Sequence, residues 1–162
     1  MKPIYDYTVI RKRIADHNHD SIDTPDKAAA LCLDLEQYDR EHLVALYLDS
    51  RLHLIGRETV HVGTTDSCLI SPRDVFRGCL LAGSVKVILV HNHPSGNPDP
   101  SKEDEEVAEQ FTLIGKMLHL EMVDFMTIGQ DGRYWSRSSG HGHIEQHRPT
   151  TQKPLENYLP NN

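Results

Sequence analysis

Cysteine is scarce and unpatterned in this chain. Cys32, Cys68 and Cys79 are odd in number, widely spaced, and form no Cys-x-x-Cys pair. That excludes both a disulfide framework and a cysteine-built zinc knuckle, and it predicts reduced thiols in a cytoplasmic protein. Basic charge is also short: 17 Lys and Arg stand against 24 Asp and Glu, a formal net charge of −7. Broad nucleic-acid binding normally needs a basic footprint, so this balance opposes it. No apolar run approaches the roughly 20 residues that span a bilayer. The start, Met1-Lys2-Pro3-Ile4-Tyr5-Asp6, lacks the apolar core of a secretory signal. No internal repeat is visible. With 162 residues the expectation is one domain with a real core and little left for a second.

What the chain does have is concentrated between His91 and Asp104. The apolar run Val85-Lys86-Val87-Ile88-Leu89-Val90 reads as a short buried strand ending in His91-Asn92-His93-Pro94. Strand side chains alternate faces, so His91 and His93 point the same way, and Asn92 points to the other face in a structural role. Pro94 holds His93 out of the helical region. Gly96, Pro98 and Pro100 make a stiff loop, after which Ser101 opens a helix with Asp104 in its first turn. Ser101-x-x-Asp104 has the spacing of a capping box. Both residues also extend the core-facing stripe of Val107, Ala108, Phe111, Ile114 and Leu118, where a buried carboxylate needs a partner. Two imidazoles and a carboxylate across one loop suit a metal site with three protein ligands and an open position for water. Two further His-x-His pairs, His17/His19 and His141/His143, follow no apolar strand and read as solvated.

Residues 1–22 read as an N-terminal arm. Asp23-Thr24-Pro25 starts a helix reaching about Gln37, with Ala28, Leu31, Cys32 and Leu35 on one face. Leu43 to Asp49 is a strand, Ser50-Arg51 a tight turn, and Leu52 to Val62 the next strand. Alternation puts Glu58 on the apolar face of that strand, where a carboxylate needs a purpose; a bulge at Gly56 would instead return it to solvent. Ser71-Pro72-Arg73-Asp74 reads as a second capping box, opening a helix stopped by Gly83. After the helix from Ser101 to about His119, Met122 to Ile128 and Arg133 to Ser136 form a hairpin around Gln130-Asp131-Gly132. Residues 138–162 read as a disordered polar tail. Its one small cluster, Leu155, Tyr158 and Leu159, reads as an unremarkable terminus rather than a docking peptide.

Taken together, Glu58, His91-Asn92-His93-Pro94 and Ser101-x-x-Asp104 resemble the motif of the JAB/MPN (JAMM) metalloprotease domain. His-Asn-His-Pro-Ser-Gly, with Ser-Pro-Arg-Asp-Val-Phe upstream, is similar to the RadC-like branch. The resemblance covers about Thr24 to Ser136, the greater part of a domain read over residues 23–137. It implies an α/β fold, a mixed β-sheet sandwiched by helices as in cytidine deaminases. It also implies one Zn²⁺ per chain on His91, His93 and Asp104, Glu58 as general base and Ser101 as oxyanion stabiliser. The substrate would be a peptide or a protein conjugate joined by an isopeptide bond. RadC proteins usually carry a helix-hairpin-helix region that these residues do not supply, and the insertions with which eukaryotic relatives grip ubiquitin are missing.

The leading expectation is therefore a zinc-dependent peptidase or isopeptidase. A catalytically silent MPN-type interaction module is the alternative, opposed by the retention of a complete ligand set with a candidate base. A DNA-processing role is opposed by the charge. A zinc deaminase would need His-x-Glu together with Pro-Cys-x-x-Cys, and the chain has no Pro-Cys-x-x-Cys.

Overall fold

The computed structural model describes residues 21–63 and 70–144. Six strands form one mixed sheet in the order β2-β1-β3-β4-β5-β6. They are β1 (His42–Leu48), β2 (Leu54–Val62), β3 (Lys86–Asn92), β4 (Glu121–Ile128), β5 (Arg133–Ser136) and β6 (Gly140–His143). Of the neighbouring pairs, only β3 and β4 run parallel. Their crossover is α3 (Lys102–Met117), while α2 (Pro72–Ala82) links β2 to β3. The central strands β1 and β3 are almost wholly buried, as expected for continuous β-branched and leucine runs covered on both faces.

Alternation along the strands divides the core in two. Val44, Leu46, Leu48, Ile88 and Val90 face α1 (Pro25–Ala30) and a 3₁₀ turn, Leu33–Gln37. Leu43, Ala45, Tyr47, Val87 and Leu89 face α2 and α3 through Val75, Phe76, Ala108 and Phe111. The sheet sandwiched by helices is thus the architecture that the family resemblance implied. The single helix expected up to Gln37 is divided. Leu31 and Cys32 donate to Ala28 and Ala29 in tighter i→i+3 bonds, and the 3₁₀ turn then buries Leu35.

Other local expectations change in detail. The β1–β2 turn is wider than Ser50-Arg51. Asp49 Oδ1 accepts from the amides of Arg51 and His53, Leu52 takes φ 67°, and β2 starts at Leu54 rather than Leu52. Ser71 precedes α2 without a side-chain cap bond, so the second capping box does not form; Gly83 stops the helix at φ 68° as expected. The domain is also longer at both ends than the sequence suggested. Ile22 is buried, and its amide donates to Leu52 O at 2.8 Å. Residues 138–139 turn the chain back into β6, which pairs to β5 from Arg133↔His143 to Ser136↔Gly140. Glycine makes this possible, because a side chain at Gly142 would collide with the Tyr134 ring. A run of Gly, Ser and His looks unable to bury a core, yet here it supplies an edge strand. Residues 1–20 with His17 and His19, residue Cys68, and residues 145–162 with Leu155, Tyr158 and Leu159 lie outside the described residues. Cys32 and Cys79 are free and buried.

Candidate metal centre

β3 delivers the two histidines to the end of the sheet. His91 pairs with Leu43 on one side and Thr127 on the other, which fixes its row. Its ring is buried, and its Nε2 shares a 2.8 Å hydrogen bond with Thr127 Oγ1. His93 lies just past the strand, its amide donating to Ile128 O at 3.1 Å. Its Nδ1 lies 2.9 Å from Asn97 O, which leaves Nε2 facing Asp104 Oδ2 at 3.3 Å. The two rings meet edge to face, with centroids 4.9 Å apart. His91 Nε2 lies 3.7 Å from Asp104 Oδ1.

Asp104 is held by the capping box expected at the start of α3. Its Oδ2 accepts from the Ser101 amide at 2.7 Å and from Ser101 Oγ at 2.6 Å, while its own amide donates back to Ser101 Oγ at 3.1 Å. The capping and the metal readings of this acid are therefore compatible: the cap aims it at the histidines.

The loop between ligands is braced from β4 and β5. Gly96 sits at φ 78°, and its carbonyl accepts from the Gln130 amide at 3.0 Å and from Arg133 Nη2 at 3.3 Å. Any side chain at Gly129 would lie 2.7 Å from Gly96 O and 2.8 Å from Pro98. His141, expected to be a solvated histidine, is indeed exposed, but its Nε2 pairs with Asp99 Oδ1 of this loop at 2.6 Å.

The electrostatics follow from burial. Desolvation pushes His91 down to about 4, against the pull of Asp104, so the ring is neutral at pH 7. His93 is raised, first by its hydrogen bond to Asp104, with burial opposing. Burial alone would raise Asp104, but His93, His91 and the Ser101 bonds outweigh it and hold the carboxylate below its ordinary range. One acceptor atom from each of His91, His93 and Asp104 lies within 4.8 Å of the others, the one such group among the described residues able to hold a metal ion. The donor set fits zinc: two imidazoles and a carboxylate, with the second nitrogen of His93 tied to a backbone carbonyl that fixes its tautomer.

A cleft of about 310 Å³ opens beside the three ligands, lined among others by Glu41, Leu43, Ile70, Ser101 and Val107. Glu41 is the acid that reading the sequence missed, between the helix expected to reach about Gln37 and the strand from Leu43. It stands one residue before β1, and its negative charge contributes to raising His93. Antiparallel pairing of β1 with β3 brings the start of one strand beside the end of the other. Asn92 completes the placement from the opposite face. Its Oδ1 accepts from the His42 amide at 2.8 Å and its Nδ2 donates to Arg40 O at 3.0 Å, gripping the backbone on both sides of Glu41.

Glu58 lies on the same face of the sheet in another row. It faces α2 and α3, as alternation predicted, but in the row of Ala45 and Leu89 rather than that of Leu43 and His91. Two strand spacings and two residues separate it from His91, about 12 Å between backbone positions. Its Oε2 accepts from Tyr47 Oη at 2.6 Å, and its Oε1 lies 3.8 Å from Arg77. β2 does bulge, at Ile55 next to Gly56 and again at Val60, and the Glu58 side chain is 41% exposed. Among the described residues, no hydrogen bond or ion pair joins Glu58 to the three ligands.

A mixed sheet between two helical layers, with a His-x-His strand end and a helix-start aspartate converging beside a cleft, defines the JAB class of domain. Comparison with known families agrees: residues 22–142 match the RadC-like JAB domain, and the chain belongs to that family. Similar proteins include a UPF0758 protein of Thermotoga maritima, 39% identical over 75% of this chain and 54% of its own length. One from Methanococcoides burtonii is 45% identical over 60% of this chain and 42% of its own. One from Methanosarcina acetivorans is 41% identical over 63% and 44%. The chain thus spans about half the length of the curated relatives it matches.

Proposed function

We propose that this chain is a zinc-dependent hydrolase of peptide or isopeptide bonds. The observation that carries the reading is the convergence of His91, His93 and Asp104, of which His91 and Asp104 line a cleft that also presents Ser101 and Glu41. Zinc on the three ligands would supply a water of lowered pKa and a Lewis acid for the substrate carbonyl. The chain's own groups divide the remaining work. His91, kept neutral by burial, and His93, fixed by Asn97 O, hold their rings ready without a proton to displace from the first. A carboxylate takes the proton from the attacking water and returns it to the leaving amine. Glu41 is the better placed of the two candidates, because it lines the cleft while Glu58 is engaged by Tyr47 and Arg77. Ser101 Oγ turns a donor toward the developing oxyanion once its bond to Asp104 is given up.

The test is a cleavage screen with zinc-loaded protein on peptides and on isopeptide-linked conjugates, with Glu41→Gln as the control. Cleavage that disappears in the control supports the hydrolase. A protein that binds zinc stoichiometrically yet cleaves neither substrate class would favour the silent interaction module.

A further inference from the structure

The outer surface of α2 and α3 is apolar where a surface helix ordinarily is not. Among the described residues, five of the nine exposed large apolar side chains lie here: Leu80, Leu81, Leu113, Met117 and Leu118, with Met117 75% exposed. Leu80, Leu81 and Leu118 line an open groove of about 400 Å³ between the two helices, which Arg73 and Arg77 also line. Contiguous exposure of this kind marks an interaction surface.

The pattern on each helix indicates what fills the groove. Along α2, at spacings of three and four, run Arg73, Arg77 and Leu80. Along α3 run Glu106, Glu109, Leu113 and Met117. Each stripe passes from charged to apolar, one basic and the other acidic. The two helices are parallel, because each returns the chain between strands that point the same way, β2 to β3 and β3 to β4. Their levels are fixed by Phe76, whose ring lies 5.9 Å from that of Phe111 and 3.6 Å from where a Gly115 side chain would start. At 1.5 Å per residue, Arg73 then stands level with Glu109 and Leu80 level with Met117.

We propose that a second copy of this chain covers this face, related by a two-fold axis parallel to the helices. That operation places α2 against α3 of the second copy, and α3 against its α2, at unchanged levels. Met117 of each copy enters the groove beside Leu80 and Leu81 of the other, and Arg73 of each meets Glu109 of the other. An isologous contact makes each pairing twice. Glu109 is accessible to a partner: it is 74% exposed, and its ion pair with Arg137 of its own chain is long, at 3.8 Å. α3 starts at the ligand Asp104 and ends at Met117, roughly 20 Å away. Both clefts therefore open at the same end of the pair, clear of the interface.

Light scattering and sedimentation of the full chain test this. The expected mass is twice 18.4 kDa. Leu113→Glu with Met117→Glu should return it to a single chain with unchanged melting temperature, since both side chains already face solvent. Glu109→Arg should weaken association about tenfold, the effect of losing roughly 1.4 kcal/mol, and adding Arg73→Glu should restore it. A wild-type chain that stays at 18.4 kDa at about 100 µM, a concentration at which even weak specific pairs form, overturns the proposal. So does a double variant that remains dimeric, or a charge reversal without rescue.

Discussion

Tyr47 donates its hydroxyl to Glu58 Oε2 across the β1–β2 pair at 2.6 Å, and this gives the inward-facing carboxylate of β2 a purpose. The phenol is otherwise buried, and burial together with Glu58 pushes its pKa well above the ordinary value. Gly78 of α2 lets the pair fit, since a side chain there would strike the Tyr47 hydroxyl and come within 2.7 Å of Glu58 Oε2. Glu58 thereby satisfies a buried donor, a role that alternation along a strand cannot distinguish from catalysis.

Two carboxylates can accordingly be separated by one experiment. Glu41→Gln keeps shape without basicity and should lower hydrolysis roughly 10²–10⁴-fold, the usual worth of acid–base catalysis, at unchanged zinc content. Glu58→Gln should leave the rate within a few-fold and act on stability, measured by thermal melting. The reverse pattern would return the base to Glu58.

Asn92 holds the backbone on both sides of Glu41, so Asn92→Ala should misplace that residue without touching a ligand. The expected signature is a fall in kcat of about tenfold or more with zinc content and KM little changed. It should be absent when Asn92→Ala is made in a Glu41→Gln background. A full effect in that background would show that Asn92 acts by stability alone.

Ending the chain after Arg137 should destabilise it by about 2 kcal/mol or more in denaturant melts. It removes β6 and four bonds to the Asp124 and Ser136 carboxylate–hydroxyl cluster. Ending it after Ile144 keeps all of these and should leave the melt unchanged.

The ligand group was legible in the sequence because its geometry is local. A strand end, a proline-rich loop and a capped helix start lie within fourteen residues, and each element follows from its own composition. Glu41 and the engagement of Glu58 depend on register between β1, β2 and β3, strands distant in sequence whose order in the sheet is not their order in the chain. β6 escaped notice for a different reason. It is paired by backbone and packed through the lack of a side chain at Gly142, so no apolar pattern announces it.

Metal affinity should depend on pH with the slope of one proton, not two. His93 is raised above its ordinary 6.5, so metal must displace its proton as pH falls through neutrality. His91 stays neutral until about 4 and competes only below that. Zinc titrations between pH 5.5 and 7.5 should therefore weaken about tenfold per unit on the acid side. A hundredfold loss per unit would mean that both rings bind protons there.

The most direct measurement is zinc stoichiometry by elemental analysis and calorimetric titration of the full chain beside His93→Ala. The account predicts one zinc per chain for the native sequence and at least a hundredfold loss of affinity in the variant, as removal of one of three ligands requires. No zinc uptake by the native chain, or equal uptake by the variant, would contradict it.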